Sequence, residues 1–314
     1  HESLKNSPVE IISKCNKKTI GIIETCDLES INEKIIYPSE EWANCSTESR
    51  NEILVSVADM LEDQQAKFVY LLMHEAGKTL EDSLDEIREA VDFLRYYAQQ
   101  ALNLKPISQK GPTGEENILE YGPKGIVLCI SPWNFPLAIT IGQIAAALAG
   151  GNTIISKPSE HTPIIAFEAI NLFFEKGLPE DSLHLFLGDG DLGQAIISNK
   201  TIDLVAFTGS LQTAKMIHKS LSSKPGKIIP LIAETGGLNT MVVDSSALLE
   251  RACDDIIRSA FNSAGQRCSA LRLLLVDQEI YPELLSMLKG AMNDLTIGIP
   301  SDPGVDVGPI ITAN

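Results

Sequence analysis

Between Gly122-Pro123 and residue 233, short apolar runs alternate with segments of helical periodicity. The spacing predicts strands over 125–130, 152–156, 183–187, 203–207 and 228–233, with helices over 137–149, 163–176, 192–198 and 211–220 between them. A strand, a helix and another strand in that rhythm form a βαβ unit. The crossover returns the chain to the same edge, so the sheet must be parallel and carry helices on its faces. The alternation continues with a strand over 239–243, a helix over 246–263 and a strand over 271–276, and the chain ends at Val307–Ile311 without an obvious closing element. The expected class is α/β, a Rossmann-type parallel sheet followed by the start of a second α/β unit.

The part before this pattern is different. Residues 1–45 are polar and weakly periodic, with short runs such as Ile20-Gly21-Ile22-Ile23 suited to edge strands. Residues 47–102 read as helices: Leu84, Ile87, Val91, Leu94 and Ala98 recur at helical spacing and share one face. Residues 104–122 hold two prolines and several glycines and read as a linker or an oligomerisation strand. The expected division is a polar segment over 1–45, a nucleotide-binding unit over 46–233, and the beginning of a catalytic unit over 234–314.

A net charge of −17 excludes a nucleic-acid surface, which needs a basic stripe. It also repels anionic ligands at long range, so a site for one must supply its own local donors. The six cysteines form no C-x-x-C pair, and with no N-terminal signal they read as reduced cytosolic thiols. The most apolar stretch, 137–155, breaks at Gly150-Gly151 into a helix and a strand, so no membrane span is expected. The five histidines show no metal-ligand spacing, and no metal is expected.

Six motifs could carry chemistry. Gly188-Asp189-Gly190-Asp191-Leu192-Gly193 fits the dinucleotide pattern G-x-G-x-x-G, but its two aspartates oppose a pyrophosphate, and a plain strand-to-helix turn fits as well. In Ser131-Pro132-Trp133-Asn134-Phe135-Pro136 the prolines stiffen the backbone on either side of Asn134, so its amide could serve an oxyanion. The bland alternative is a stiff turn with Trp133 as packing. Lys157-Pro158-Ser159-Glu160 follows a strand, where ligands of open parallel sheets bind, and could hold a ribose or merely form a solvated ion pair. Phe207-Thr208-Gly209-Ser210 ends a strand and opens a helix, fitting either an anion or ordinary N-capping by Ser210. Glu234 precedes Gly236-Gly237 and could swing as a base. Cys268 lies beside Arg267 and near Arg272, cations that favour a thiolate, although a single cysteine also reads as a small buried hydrophobe. Gly77-Lys78-Thr79 resembles the end of a phosphate loop but lacks its first glycine, since Leu72 stands there, and is rejected.

These motifs occur in one order, SPWNFP, KPSE, FTGS, AETGG and GQRCSALR, and that order resembles the aldehyde dehydrogenase superfamily from about residue 45 onward. The segments around Glu75–Thr79 and Val91–Ala98, with Thr235 in AETGG and the stretch 265–272, resemble the aldehyde dehydrogenase module of bacterial proline utilization A. That module oxidises L-glutamate γ-semialdehyde, the hydrolysed form of 1-pyrroline-5-carboxylate, to glutamate with NAD. The resemblance implies Cys268 as nucleophile, Asn134 as oxyanion donor and Glu234 as base. It implies Pro132, Trp133, Lys157, Glu160, Gly190, Phe207, Gly209, Ser210 and Gly236 around NAD, and Ser269 against the substrate carboxylate. The G-x-G-x-x-G match becomes a loop near the adenine with Gly190 as its contact. Glu160 favours NAD over NADP, because a carboxylate near the 2′ position repels a phosphate. Where family members often carry Gly in the turn after FTGS, this chain has Ala214.

The resemblance further implies a catalytic domain continuing for ~150–200 residues, with a Glu-x-Phe-Gly-Pro segment that this chain lacks. It implies a cytoplasmic homo-oligomer at full length, in some relatives fused to a proline dehydrogenase. Other readings stay open: a dehydrogenase of another semialdehyde such as that of succinate, a truncated chain that turns over nothing, or a cysteine hydrolase, for which no partner histidine is placed.

Overall fold

The computed structural model describes residues 7–26 and 35–312. Residues 1–6 and 27–34 of the polar segment, with His1, and the last two residues of the expected catalytic part lie outside the described residues. Strands β1 (Ser7–Ile12) and β2 (Thr19–Thr25) pair antiparallel, and Ile20–Ile23 falls inside β2. Helices α1 (Glu40–Asn44), α2 (Thr47–Asp63) and α3 (Gln65–Leu71) follow. A π-helical turn over Leu72–Ala76 ends at Gly77, whose φ of 76° only glycine adopts readily. Next come α4 (Leu80–Asn103) and the antiparallel pair β3 (Ile107–Gln109) and β4 (Asn117–Leu119).

The alternating region then forms β5 (Ile126–Ile130), α5 (Ala138–Ala149), β6 (Thr153–Lys157), α6 (Pro163–Glu175), β7 (Leu183–Leu185), α7 (Gly190–Asn199), β8 (Leu204–Gly209), α8 (Leu211–Ser222) and β9 (Leu231–Thr235). The five strands make one parallel sheet in the order β7-β6-β5-β8-β9. The chain winds outward from β5 in one direction, returns to β8 and winds the other way. The order therefore reverses between β5 and β8, and in open parallel sheets ligands bind outside the strand ends at such a point.

Strand alternation divides the core between the two faces of the sheet. Val127, Cys129 and Ile154 pack with Leu54, Ile87, Leu94, Ile141, Ile165 and Phe173 of α2, α4, α5 and α6. Ile126, Leu128, Ile155, Val205 and Phe207 pack with Ile196, Ile217 and Leu221 of α7 and α8. Side chains such as Leu54, Leu94 and Leu128 are wholly buried, and each contributes about 1.5–3 kcal/mol by leaving water. Of the apolar stripe read on α4, Ile87, Val91, Leu94 and Ala98 are buried and Leu84 is half-buried.

Beyond β9 the chain forms β10 (Asn239–Val243), α9 (Leu249–Phe261), β11 (Leu271–Val276) and α10 (Tyr281–Asp294), with β10 and β11 paired parallel in a separate sheet. A cut at 233/234 would fall inside β9. Among the described residues, no helix is long and apolar enough to cross a membrane.

One buried carboxyl gives the fold a pH dependence. Glu75 is fully buried, and its two oxygens accept from the backbone N–H groups of Ile164 and Ile165, both at 2.8 Å. It thus caps the start of α6, where the N-cap Thr162 makes no side-chain bond. Burial lifts this carboxyl from its ordinary 4.5 to about 7, against the pull of those N–H groups and of Lys14. Between these values the folded chain holds a proton that the unfolded chain has released. The associated stability is therefore complete below about pH 4.5 and is lost as the pH rises through about 7. It amounts to on the order of 3 kcal/mol. Melting curves across that window should show the wild-type protein losing stability with rising pH relative to Glu75→Gln. Parallel curves would contradict this.

Candidate active site

The C-terminal ends of three neighbouring strands carry the predicted motifs side by side. β6 ends at Lys157, β5 leads through Ser131 into the Pro132–Pro136 turn, and β8 ends at Gly209. β9 brings Glu234 level with Thr208. Gln143 on α5 ties this rim together, its Nε2 donating to the Ile130 carbonyl (3.2 Å) and to Thr208 Oγ1 (3.1 Å).

Lys157 is buried rather than solvated, and its ammonium lies 3.5 Å from the Glu160 carboxylate. Burial lowers its pKa, opposed by Glu160 and Asp189. The loop of the G-x-G-x-x-G match lies beside it: a side-chain carbon at Gly193 would sit 3.9 Å from the Lys157 stem. Asp189 occupies the start of α7, accepting from the N–H groups of Asp191 and Leu192. A carboxylate already fills the place a pyrophosphate would take in a Rossmann loop, which is the physical reason this match is no phosphate cradle. Gly190 itself borders open space.

The start of α8 is different. Ser210 caps it, accepting from the Thr213 N–H at 3.1 Å. A Cβ at Gly209 would strike the Phe207 ring at 2.6 Å, so a larger residue there would have to displace that ring. Ala214, read as part of a turn after FTGS, lies buried within α8, one helical turn past the Ser210 cap. Gly236, past the end of β9, is free of neighbours within 4 Å of where a Cβ would stand.

Cys268 is the one exposed thiol among the six cysteines; Cys15, Cys129 and Cys253 are buried and Cys26 and Cys45 partly so. Burial pushes the thiols of Cys15 and Cys253 up and that of Cys129 up to about 12, which keeps them protonated and inert. Cys268 and Glu234 line one cavity of about 520 Å³, whose walls include Phe93, Tyr97, Gln143 and Phe207. Ser269 faces a separate depression of about 350 Å³ with Arg258, Ser259 and Arg267.

The loop before Cys268 is held in an uncommon conformation. Ser263 and Ala264 both have positive φ (54° and 55°), and Gly265 continues at 68°. Consecutive left-handed residues other than glycine are strained and persist only when their surroundings hold them. Here the Ser263 N–H donates to the Asp82 carboxylate at 3.0 Å and Gln266 Nε2 donates to the Ser263 carbonyl. The Ile311 N–H donates to Gln266 Oε1. Arg272 donates to the Gly265 carbonyl at 2.6 Å, which engages one of the two cations expected beside the thiol. Asn239 donates to the carbonyls of Cys268 (2.7 Å) and Ala270 (2.9 Å), fixing the loop from the other side.

Asn134 meets this loop directly. Its Nδ2 donates to the Gln266 carbonyl at 2.9 Å, two residues before Cys268. A carboxamide nitrogen has two protons, and the Gln266 carbonyl accepts one of them. Asn239, Gln266, Gln143 and Asp82 were not singled out in the sequence. Their contacts at the site reach far along the sequence, Cys268 lying 29 positions from Asn239 and Ser263 181 from Asp82, so no local spacing marks them. Among the described residues, no group of three or more His, Cys, Asp or Glu could hold a metal ion.

The aldehyde dehydrogenase family model matches residues 2–314. The chain is 43% identical over 276 residues to the bifunctional protein PutA of Klebsiella aerogenes, covering 87% of this chain and 20% of that protein. It is 35% identical over 312 residues to 1-pyrroline-5-carboxylate dehydrogenase of Bacillus subtilis strain 168, covering 96% and 60%. A solved structure of betaine aldehyde dehydrogenase from Staphylococcus aureus, in complex with NAD+, superposes with a TM-score of 0.90 at 28% identity, covering 98% of this chain and 63% of that one. The chain thus spans about a fifth of the PutA relative and less than two thirds of the dehydrogenase. With the parallel sheet, the rim motifs and a family match across nearly every residue, the chain belongs to the aldehyde dehydrogenase family.

Proposed function

We propose that this chain serves the NAD-dependent oxidation of L-glutamate γ-semialdehyde to L-glutamate, the reaction that fits its 1-pyrroline-5-carboxylate dehydrogenase relatives. The observation that carries the reading is the shared cavity of Cys268 and Glu234, with Asn134 bonded to the same loop.

The rim residues fit a dinucleotide. Lys157 and Glu160 offer a donor and an acceptor to a ribose. The start of α8 offers backbone N–H groups and the positive end of a helix dipole to a pyrophosphate, with no Cβ at Gly209 to obstruct it. In this reading Pro132 and Trp133, past the end of β5, line NAD between these two, Gly190 is its adenine contact, and Phe207, which shares the Cys268 cavity, and Gly236 serve the nicotinamide end. Bound there, NAD supplies a hydride acceptor.

The protein's own steps follow from its geometry. The Cys268 thiolate adds to the aldehyde carbon, forming a C–S bond and placing negative charge on the carbonyl oxygen. The other Asn134 amide proton and the Cys268 backbone N–H stabilise that charge. Loss of the hydride re-forms the carbonyl as a thioester. Glu234 then takes a proton from water, the hydroxide adds to the thioester carbon, and the C–S bond breaks to return the thiolate and release a carboxylate.

The substrate's carboxylate meets a chain of net charge −17, so local donors are required for it. Ser269, Ser259, Arg258 and Arg267 offer such donors in the depression that Ser269 faces, which Asp255 also lines and where Arg258 pairs with Glu81. NADH formation by the full-length protein across a panel of aldehydes tests the substrate class. Glutamate γ-semialdehyde should give the highest kcat/KM, and preference for an uncharged aldehyde would overturn the assignment.

A further inference from the structure

Gly77-Lys78-Thr79, which fits no phosphate loop, has a place beside the reaction centre. Thr79 is the N-cap of α4, and Lys78, immediately before it, is buried. The Lys78 ammonium forms an ion pair with Glu86 at 2.8 Å and lies 3.8 Å from the centre of the Phe135 ring. Glu86 is wholly buried; its other oxygen accepts from the N–H groups of Leu137 (2.8 Å) and Ala138 (3.2 Å), closing the start of α5. Arg267 also approaches the Phe135 ring, at 5.7 Å, and its Nε is buried without a hydrogen-bond partner among the described residues. Phe135 follows Asn134, and Arg267 precedes Cys268.

Two buried charges cost free energy to desolvate, and a pair of apolar residues would fill the same space at lower cost. What the charges add is direction. The turn carrying Asn134 is gripped at 137–138 by Glu86 and at 135 by Lys78, while Asn134 itself reaches Gln266. Asp82, one turn before Glu86 on α4, holds Ser263 of the nucleophile loop. The first turns of α4 therefore bracket both halves of the site.

We propose that Lys78 is a positioning residue of the reaction, which aligns the Asn134 amide with Cys268 through its contacts to Phe135 and Glu86. The proposal rests on the assignment of Asn134 as oxyanion donor. It is tested by a double-mutant cycle between Lys78→Met and Asn134→Ala in the full-length protein. kcat is expressed per active site titrated by thiol labelling, so that poorly folded enzyme does not count. Removing an oxyanion donor costs roughly 100- to 1000-fold in kcat, and misaligning it should cost about 10- to 100-fold, with little change in KM. In the Asn134→Ala background the Lys78 substitution should then cost less than about twofold, because neighbouring residues acting through one group are not additive. Lys78→Arg, which keeps a cation over the ring, should restore most of the loss. Phe135→Leu repeats the cycle without disturbing the ion pair, should Lys78→Met fail to fold. A full, multiplicative loss in the Asn134→Ala background, or an unchanged kcat per site in both Lys78→Met and Phe135→Leu, would overturn the proposal. Wild-type kcat in Asn134→Ala alone would instead overturn the reading of Asn134 on which it rests.

Discussion

Cys268→Ala is expected to lower kcat by on the order of a million-fold, because loss of a covalent nucleophile removes the reaction path rather than one contact along it. Cys268 is the one cysteine that lines the cavity shared with Glu234. Cys129, Cys15 and Cys253 are buried within the fold, and burial holds their protons in place. Cys45 is partly exposed but sits at the end of α1, where its N–H donates to the Trp42 carbonyl, far along the chain from the sheet rim. Cys45→Ser should therefore turn over at close to the wild-type rate, and the melting temperature of Cys268→Ala should match that of the wild type, since an exposed side chain contributes little to stability. Measured NADH formation by all three proteins distinguishes a missing nucleophile from a damaged fold. Substantial turnover by Cys268→Ala would remove the covalent mechanism.

Glu234→Gln is expected to spare the first half of the reaction and stall the second. Glu234 lies next to the C-terminal end of β9, exposed, level with Thr208 and lining the same cavity as Cys268. In the proposed mechanism, attack, oxyanion stabilisation and hydride loss use the thiol and the Asn134 amide. Hydrolysis of the thioester needs a base for water, and losing a positioned base costs roughly 100- to 10,000-fold. Glutamine keeps the size and polarity of the side chain but accepts no proton at neutral pH. A stopped-flow trace should show a burst of NADH close to the concentration of active sites, followed by a steady rate lower by that factor. A variant with no burst and a slow first turnover would place Glu234 in the activation of the thiol instead.

The parallel sheet was legible because βαβ units write it twice, once as apolar runs and again as the helical spacing between them. Strands 239–243 and 271–276 match to the residue. Strand β9 was expected over 228–233 and runs over Leu231–Thr235, because Ile228 is exposed and Pro230 precedes the pairing with β8. Helices α1 and α10 were not read. α1 has five residues, too few to show a period, and α10 buries only Leu284 fully, so no apolar stripe announces it. The π-helical turn at Leu72–Ala76 breaks a helical stretch for which the sequence shows no Pro, although Gly77 marks its end.

The candidate site was legible where chemistry and stiffness coincide locally, as at Asn134 between two prolines and at Cys268 beside two arginines. Its supports were not. Asp82 and Asn239 hold the loop around Cys268 through partners distant in sequence, and Lys78 and Glu86 look like solvated charges until the fold buries both. Arg272, read as a cation near the thiol, also bonds the Gly265 carbonyl, a contact no local pattern announces.

Rapid quenching of Glu234→Gln during the NADH burst, followed by peptide mapping by mass spectrometry, bears most directly on the mechanism. The peptide containing Cys268 should carry a glutamyl group in thioester linkage, at a stoichiometry equal to the burst. A burst with that peptide unmodified, or with the acyl group on another cysteine, would contradict it.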